Sequence, residues 1–258
     1  MILAHSIGVP FAQLVILLAV TLILSYCGVD VEDSNSPAPP QWIQKSFPEE
    51  WPESGIDAHE SGGIYLEWHP NPEPDIVAYT IYRAFINSLN DSLEAYVEIS
   101  HINLSSDSRL EFIDELVEPM IMYSYVIQAV DQANNKSNLS EPIRYEKLPA
   151  TWAESMIPNG NHSLLPQDRQ LQWGMGGVME MEDYCITLLT SAGEFVFREV
   201  FMPGEFIGWN DQWAIPNSVN LQPGEIYKWR LDTGAQYING LETSGSESTW
   251  ATFLIEDG

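Results

Sequence analysis

The residues able to do chemistry are few and scattered along this chain, which holds 5 His and 2 Cys. His59 lies in Asp57-Ala58-His59-Glu60, a set of metal-ligand types. No second His or Cys follows at ligand spacing, so the stretch reads as a solvated loop ahead of a strand. Glu180-Met181-Glu182-Asp183 and Glu73-Pro74-Asp75 offer oxygens to calcium, yet neither has the Asp-x-Asn-x-Asp-Gly spacing of a dedicated loop. A thiol nucleophile at Cys185 needs a nearby base, and the second half of the chain offers only His162, distant in sequence. Gly-x-Ser-x-Gly, His-Glu-x-x-His and phosphate-cradling Gly loops do not occur. With 37 Asp and Glu residues in the chain, carboxylate pairs are too common to indicate glycoside hydrolysis. The sequence therefore reads as a non-enzyme with no catalytic residues, no cofactor and no metal site.

One stretch offers binding chemistry instead: Phe206-Ile207-Gly208-Trp209-Asn210-Asp211-Gln212-Trp213. Trp209 and Trp213 could stack on pyranose rings while Asn210 and Asp211 bond hydroxyls, which is how a carbohydrate platform works. The same two rings would equally serve to close the open side of a β-sandwich. Choosing between these uses requires the elements that carry them.

Net charge bounds the partners. At −27, with a pI near 4.1, the chain repels nucleic-acid phosphates and has no Lys/Arg cluster to offset that, so nucleic acid is excluded. Both halves are acidic. This is either a solvated coat or a surface for divalent cations or a basic partner. A chain of 258 residues, 45% hydrophobic and 11% aromatic, can bury one large core or two ordinary ones.

Residues 14–24 form an apolar run of signal-peptide length, with no charged side chain before Asp30. Leu24-Ser25-Tyr26-Cys27-Gly28 follows, then the acidic, Pro-rich residues 29–40. This resembles the lipobox of bacterial lipoproteins, which implies cleavage before Cys27, lipidation of that cysteine and anchoring to a membrane of the cell envelope. The alternative is an uncleaved membrane helix, since residues 7–26 are nearly continuous apolar sequence of spanning length. Residues 1–26 are thus a signal or anchor and residues 27–39 a flexible linker.

Downstream, short segments alternate with a period of two between turn residues, as in Ile64-Tyr65-Leu66-Glu67-Trp68 and Tyr123-Ser124-Tyr125-Val126-Ile127-Gln128-Ala129. No helical period intervenes. The fold class is all-β, and strands at this spacing indicate antiparallel sandwiches. Leu66-x-Trp68, Tyr79-x-Ile81-Tyr82-Arg83 and Leu116…Tyr123-x-Tyr125-x-Ile127-x-Ala129, followed by Asn134-Asn135-Lys136-Ser137, resemble strands B, C and F and the F–G loop of a fibronectin type III domain over residues 40–148. Leu171-Gln172-Trp173, Tyr184-Cys185-Ile186, Leu221-Gln222-Pro223-Gly224-Glu225-Ile226-Tyr227 and a closing strand near Ser248 repeat the pattern more loosely over residues 151–258. The resemblance implies tandem immunoglobulin-like (fibronectin type III) sandwiches. Trp68 and Trp173 become core tryptophans, and Tyr123 and Tyr227 become corner tyrosines bonding backbone upstream, near Leu116 for the first. Alternation places Cys185 on the sheet face opposite Tyr184 and Ile186, as an inert surface thiol. The Asn-x-Ser sequons are incidental behind a bacterial lipobox. The function expected is a membrane-anchored surface protein acting as a spacer or binder of extracellular protein or polysaccharide, or else a carbohydrate-binding lipoprotein.

Overall fold

In a computed structural model of the chain, the described residues are 34–45, 53–87, 92–106, 108–150, 155–160, 162–164, 167–174, 183–201, 210–238 and 241–256. The chain divides into residues Met1–Asn35 and Ser36–Gly258, and every strand among the described residues belongs to the second unit. The signal segment and Cys27 lie outside the described residues. Among the described residues, no helix is long and apolar enough to cross a membrane.

The elements of the described residues are strands. The first half contributes β1 (Ile56–Ala58), β2 (Ile64–Glu67), β3 (Ile76–Asn87), β4 (Ser92–Leu93), β5 (Val97–Asn103), β6 (Glu111–Asp114), β7 (Met122–Asp131) and β8 (Ile143–Lys147). The second contributes β9 (Ser163–Leu164), β10 (Gln170–Gly174), β11 (Asp183–Thr190), β12 (Phe195–Phe201), β13 (Asn210–Ala214), β14 (Ile226–Ile238), β15 (Leu241–Glu247) and β16 (Ala251–Ile255).

Each half packs two sheets over its own core. In the first, β1-β2-β6 covers the sheet built from β5, β3, β7 and β8. Alternation decides the facing: Ile64 and Leu66 of β2 are buried while Tyr65 and Glu67 turn outward. Trp68 meets Tyr79 of the opposite sheet edge-on, with centroids 5.5 Å apart. In the second half, β10-β13 covers β12, β11 and β14, and Trp173 meets Tyr184 at 6.0 Å. The pairing of a tryptophan with a tyrosine across the sheets is therefore made twice.

Other contacts also repeat. The hydroxyl of Tyr123 accepts a hydrogen bond from the Glu118 amide at 3.0 Å, and that of Tyr227 accepts one from the Gln222 amide at 2.8 Å. Both amides lie five residues upstream of their tyrosine, and the first corner is tied at Glu118, two residues past Leu116. Leu116 is 83% exposed, while Val117 is buried at the position Leu221 takes in the second half. Three residues before each corner tyrosine the chain turns left-handed, at Gly224 (φ 77°) and at Met120 (φ 67°). Asn134 also takes that conformation (φ 64°), which asparagine tolerates better than most residues. Four residues past each tyrosine, the ladder amide donates to a serine hydroxyl at 3.0 Å: Ile127 to Ser140, and Leu231 to Ser248.

One strand of the second half is unusually long. β14 runs 13 residues and pairs with two successive strands. Its first part holds β16, from Ile226↔Leu254 to Trp229↔Ala251. Its second part forms a hairpin with β15, from Asp232↔Glu247 to Ile238↔Leu241. That hairpin reaches the first half, where β15 pairs parallel with β8 through Ser244↔Glu146 and Gly245↔Lys147. The Leu148 amide donates to the Gly245 carbonyl at 2.7 Å. Only glycine fits there, because a Cβ on Gly245 would lie 2.6 Å from both the Thr233 carbonyl oxygen and Tyr145 Oη. The sheets of the two halves become one.

Two sequence expectations change. The flexible linker expected to run to residue 39 is docked in its last residues: Ala38 donates its amide to Glu73 at 2.8 Å and accepts from Asn71 at 2.7 Å, with Pro37 and Pro40 buried. Proline-rich chain packs here because its fixed φ costs little entropy to order. The expected loop at Asp57-Ala58-His59-Glu60 opens with strand β1, because Ile56 and Ala58 alternate inward with Asp57 between them.

Candidate functional site

The proposed aromatic platform is only partly in view. Trp209 lies outside the described residues, while Asn210 and Asp211 lie on β13 as partners of Gly174 and Trp173. Trp213 sits on the same strand, half-buried and stacked on Phe197 at 5.5 Å with an interplanar angle of 25°. Its ring packs against the second core. In this arrangement Trp213 acts as a cover for the sandwich.

A more built arrangement lies where the β14–β15 hairpin meets the first half. Tyr145 of β8 is fully buried, and its Oη contacts Asp57 Oδ1 of β1 at 3.1 Å and, closely, Glu242 Oε1 of β15. Glu53, ahead of β1, is 2% exposed and pairs through Oε1 with Lys45 Nζ at 2.8 Å. Lys45 also reaches Glu67 at 2.5 Å. On the other side Arg230 of β14 pairs with Asp232 at 2.7 Å and with Glu247 of β15 at 2.6 Å, and Trp250 lies against its guanidinium at 5.1 Å. The arrangement joins the halves through charge and hydrogen bonding rather than through apolar packing.

Its electrostatics follow from an excess of acid. Burial, then the charge of Asp57, pushes the Glu53 carboxyl up to about 9, with Lys45 pulling the other way. Burial likewise raises Asp57 and carries Glu242 and Glu247 well above the ordinary carboxylate range. Asp232 is raised to about 6, because burial outweighs the guanidinium of Arg230 beside it. Glu53 and Asp57 perturb each other across the pair, and Glu53 Oε2 is buried without a hydrogen-bond partner.

Two spaces adjoin the network. A closed cavity of about 10 Å³, room for about one water, is lined by Cys185, Arg198, Arg230, Asp232 and Thr233 among others. An open cleft of about 320 Å³ is lined by Lys45, Glu53, Asp57, His59, Tyr65 and Glu247 among others. Cys185 does lie on the face opposite Tyr184 and Ile186, but that face is covered by the junction and the thiol is 1% exposed. Burial, with the charge of Asp232 added, pushes the thiol up, which keeps it protonated and unreactive. His59 bonds Ser61 Oγ at 2.9 Å beside the cleft. Among the described residues, no group of three or more His, Cys, Asp and Glu could hold a metal ion.

Sequence reasoning passed over Glu53, Tyr145, Arg230, Glu242 and Glu247. The available signal is a polar run without apolar alternation, Leu241-Glu242-Thr243-Ser244-Gly245-Ser246-Glu247, directly after a strong strand.

No family model and no curated protein matches the chain. Solved structures superpose on it loosely. One is a β-1,2-glucanase from Parabacteroides distasonis, 24% identical over 47% of this chain and 15% of its own, with a TM-score of 0.33. A second is a chicken CNTN1 fragment holding domains FN1-FN3, 11% identical over 86% of this chain and 69% of its own, with a TM-score of 0.31. A third is the pectate lyase Pel3 from Pectobacterium carotovorum, 16% identical over 51% of this chain and 31% of its own, with a TM-score of 0.26. The chain thus spans a small part of the first and third structures. Scores this low carry no argument, so the architecture rests on the strand pairing and core contacts of the chain itself.

Proposed function

We propose that this chain is a non-enzymatic, exported surface protein. It is anchored to the cell-envelope membrane through Cys27 or an N-terminal helix and carries two tandem fibronectin-III-like sandwiches as a stiff interaction or spacer module. The observation that carries this reading is the parallel pairing of β8 with β15, which fuses the sheets of the two halves. A free tandem pair would bend at its linker; a shared sheet holds both cores at one angle. The repeated Trp–Tyr packing and corner bonds support the sandwich assignment, and the apolar run ending at Cys27 supports export.

Expression of the full chain in a bacterium fed labelled palmitate tests the anchor. Label should enter the wild-type chain and be lost in Cys27→Ala. Label in neither, with the chain retained in membranes, would replace the lipid anchor by a helix. The carbohydrate reading is tested on a glycan array. Binding abolished by Trp209→Ala with Trp213→Ala would establish it, whereas the packing of Trp213 on Phe197 leads us to expect no binding that depends on that ring.

A further inference from the structure

We propose that the junction between the two cores is a proton-gated clasp: protons shared among Asp57, Glu242 and Tyr145 hold the β14–β15 hairpin against β8, and their loss releases it. The proposal rests on the two-core reading given under the proposed function. Its basis is a count of hydrogens. The Tyr145 hydroxyl has one proton but contacts two carboxyl oxygens, Asp57 Oδ1 and Glu242 Oε1. It can donate to only one, so the other contact is attractive only if that carboxyl brings a proton of its own. Asp57, Tyr145 and the Glu242 that the hairpin brings therefore stay bonded together only while one of the two carboxyls keeps its proton.

The surrounding charge cannot replace those protons. Facing Tyr145 and the carboxyls are Lys45 from the segment before β1, Arg198 from β12 and Arg230 from β14. Lys45 is also engaged by Glu67 of β2, and Arg230 by Asp232 and Glu247. Glu60, in the turn after β1, adds a further negative charge toward Glu247, while Tyr65 of β2 and Cys185 of β11 are neutral. Ionising Asp57 and Glu242 together, with Glu53 beside them, would place like charges in largely buried surroundings, where repulsion is stronger than in water. The hairpin is the element free to yield. It joins β8 by two residue pairs, whereas its base continues into the β14 ladder with β11 and β16.

The direction is set by linkage. Each raised carboxyl keeps its proton in the closed state at a pH where the open state has lost it. The closed state therefore binds more protons than the open one above the ordinary carboxylate range, and rising pH favours opening. Acid closes the clasp.

Hydrogen exchange of the full chain, expressed as protection factors so that base catalysis cancels, tests this at pH 6 and pH 9.5. Amides of residues 143–148 and 241–247 should lose about tenfold or more of their protection at the higher pH, while those of residues 125–129 in the first core keep theirs. Glu242→Gln and Asp57→Asn, which keep a hydrogen-bonding side chain without the charge, should each flatten that loss. Equal protection at both pH values would overturn the gate and leave the two-core reading intact. Weak protection at both would overturn the shared sheet itself. Parallel loss in the core would show global unfolding and also refute the gate. The wild-type titration decides even if neither variant folds.

Discussion

Substituting Gly245 by alanine perturbs the junction at its tightest point. The added methyl would lie 2.6 Å from the Thr233 carbonyl oxygen and from Tyr145 Oη, well inside contact distance. Neither neighbour yields easily, since the Thr233 atom is backbone of the paired strand and Tyr145 is fully buried. The strand must therefore move off β8. That movement removes the Leu148–Gly245 hydrogen bond and the contact between Tyr145 and Glu242. At roughly 1 kcal/mol net for each bond, with a similar amount for the buried carboxyl left unsatisfied, the loss is about 2–4 kcal/mol. For a chain of this size it corresponds to a fall in Tm of about 5–15 °C. Circular dichroism melts of wild type and G245A at pH 6 provide the comparison. Melting within about 1 °C of wild type would refute the close approach of β15 to β8 and β14.

The remaining expectations concern scaffold and thiol. Tyr123→Phe and Tyr227→Phe should each cost about 1–1.5 kcal/mol in urea unfolding, the worth of one corner hydrogen bond, with the m-value unchanged. Met120→Gly should be neutral or stabilising by up to about 1 kcal/mol, because a side chain in the left-handed region is strained and Met120 is exposed; Gly224→Ala, the reciprocal change, should destabilise. Trp173→Ala should cost about 3–5 kcal/mol, since the ring is 1% exposed at the centre of the second core. Cys185 should resist a thiol reagent in the native chain at pH 8 and react at once in denaturant, and rapid native labelling would contradict its burial.

What could be read in the sequence depends on how each strand hides its side chains. β2 and β7 bury apolar residues on one face, so Ile64, Leu66, Tyr125 and Ile127 stand out at a period of two. The core tryptophans and corner tyrosines were visible because large aromatic rings recur beside them at fixed spacing. β15 stayed hidden for the opposite reason. Its buried side chains include Glu242, Ser244 and Ser246, and the fold supplies polar partners from other strands, Tyr145 to Glu242 and Thr233 to Ser246, rather than apolar contact. A lone carboxylate in a sequence reads as surface, and only the partner brought by the fold makes its burial tolerable. The exposure of Cys185 was misread by the same logic, since its face was correct but the polar layer covering that face was invisible. Trp213 is legible as an exposed or covering ring, and its stacking on Phe197 of β12 is a contact that only folding makes.

The shared sheet is tested most directly by scalar coupling through the hydrogen bond between the Leu148 amide and the Gly245 carbonyl, recorded by NMR on isotope-labelled chain at pH 6. A resolved coupling between those two residues, with the Leu148 amide slow to exchange, is the predicted result. No coupling, with Leu148 exchanging as fast as an amide open to solvent, would contradict it and leave two sandwiches joined only by their linker.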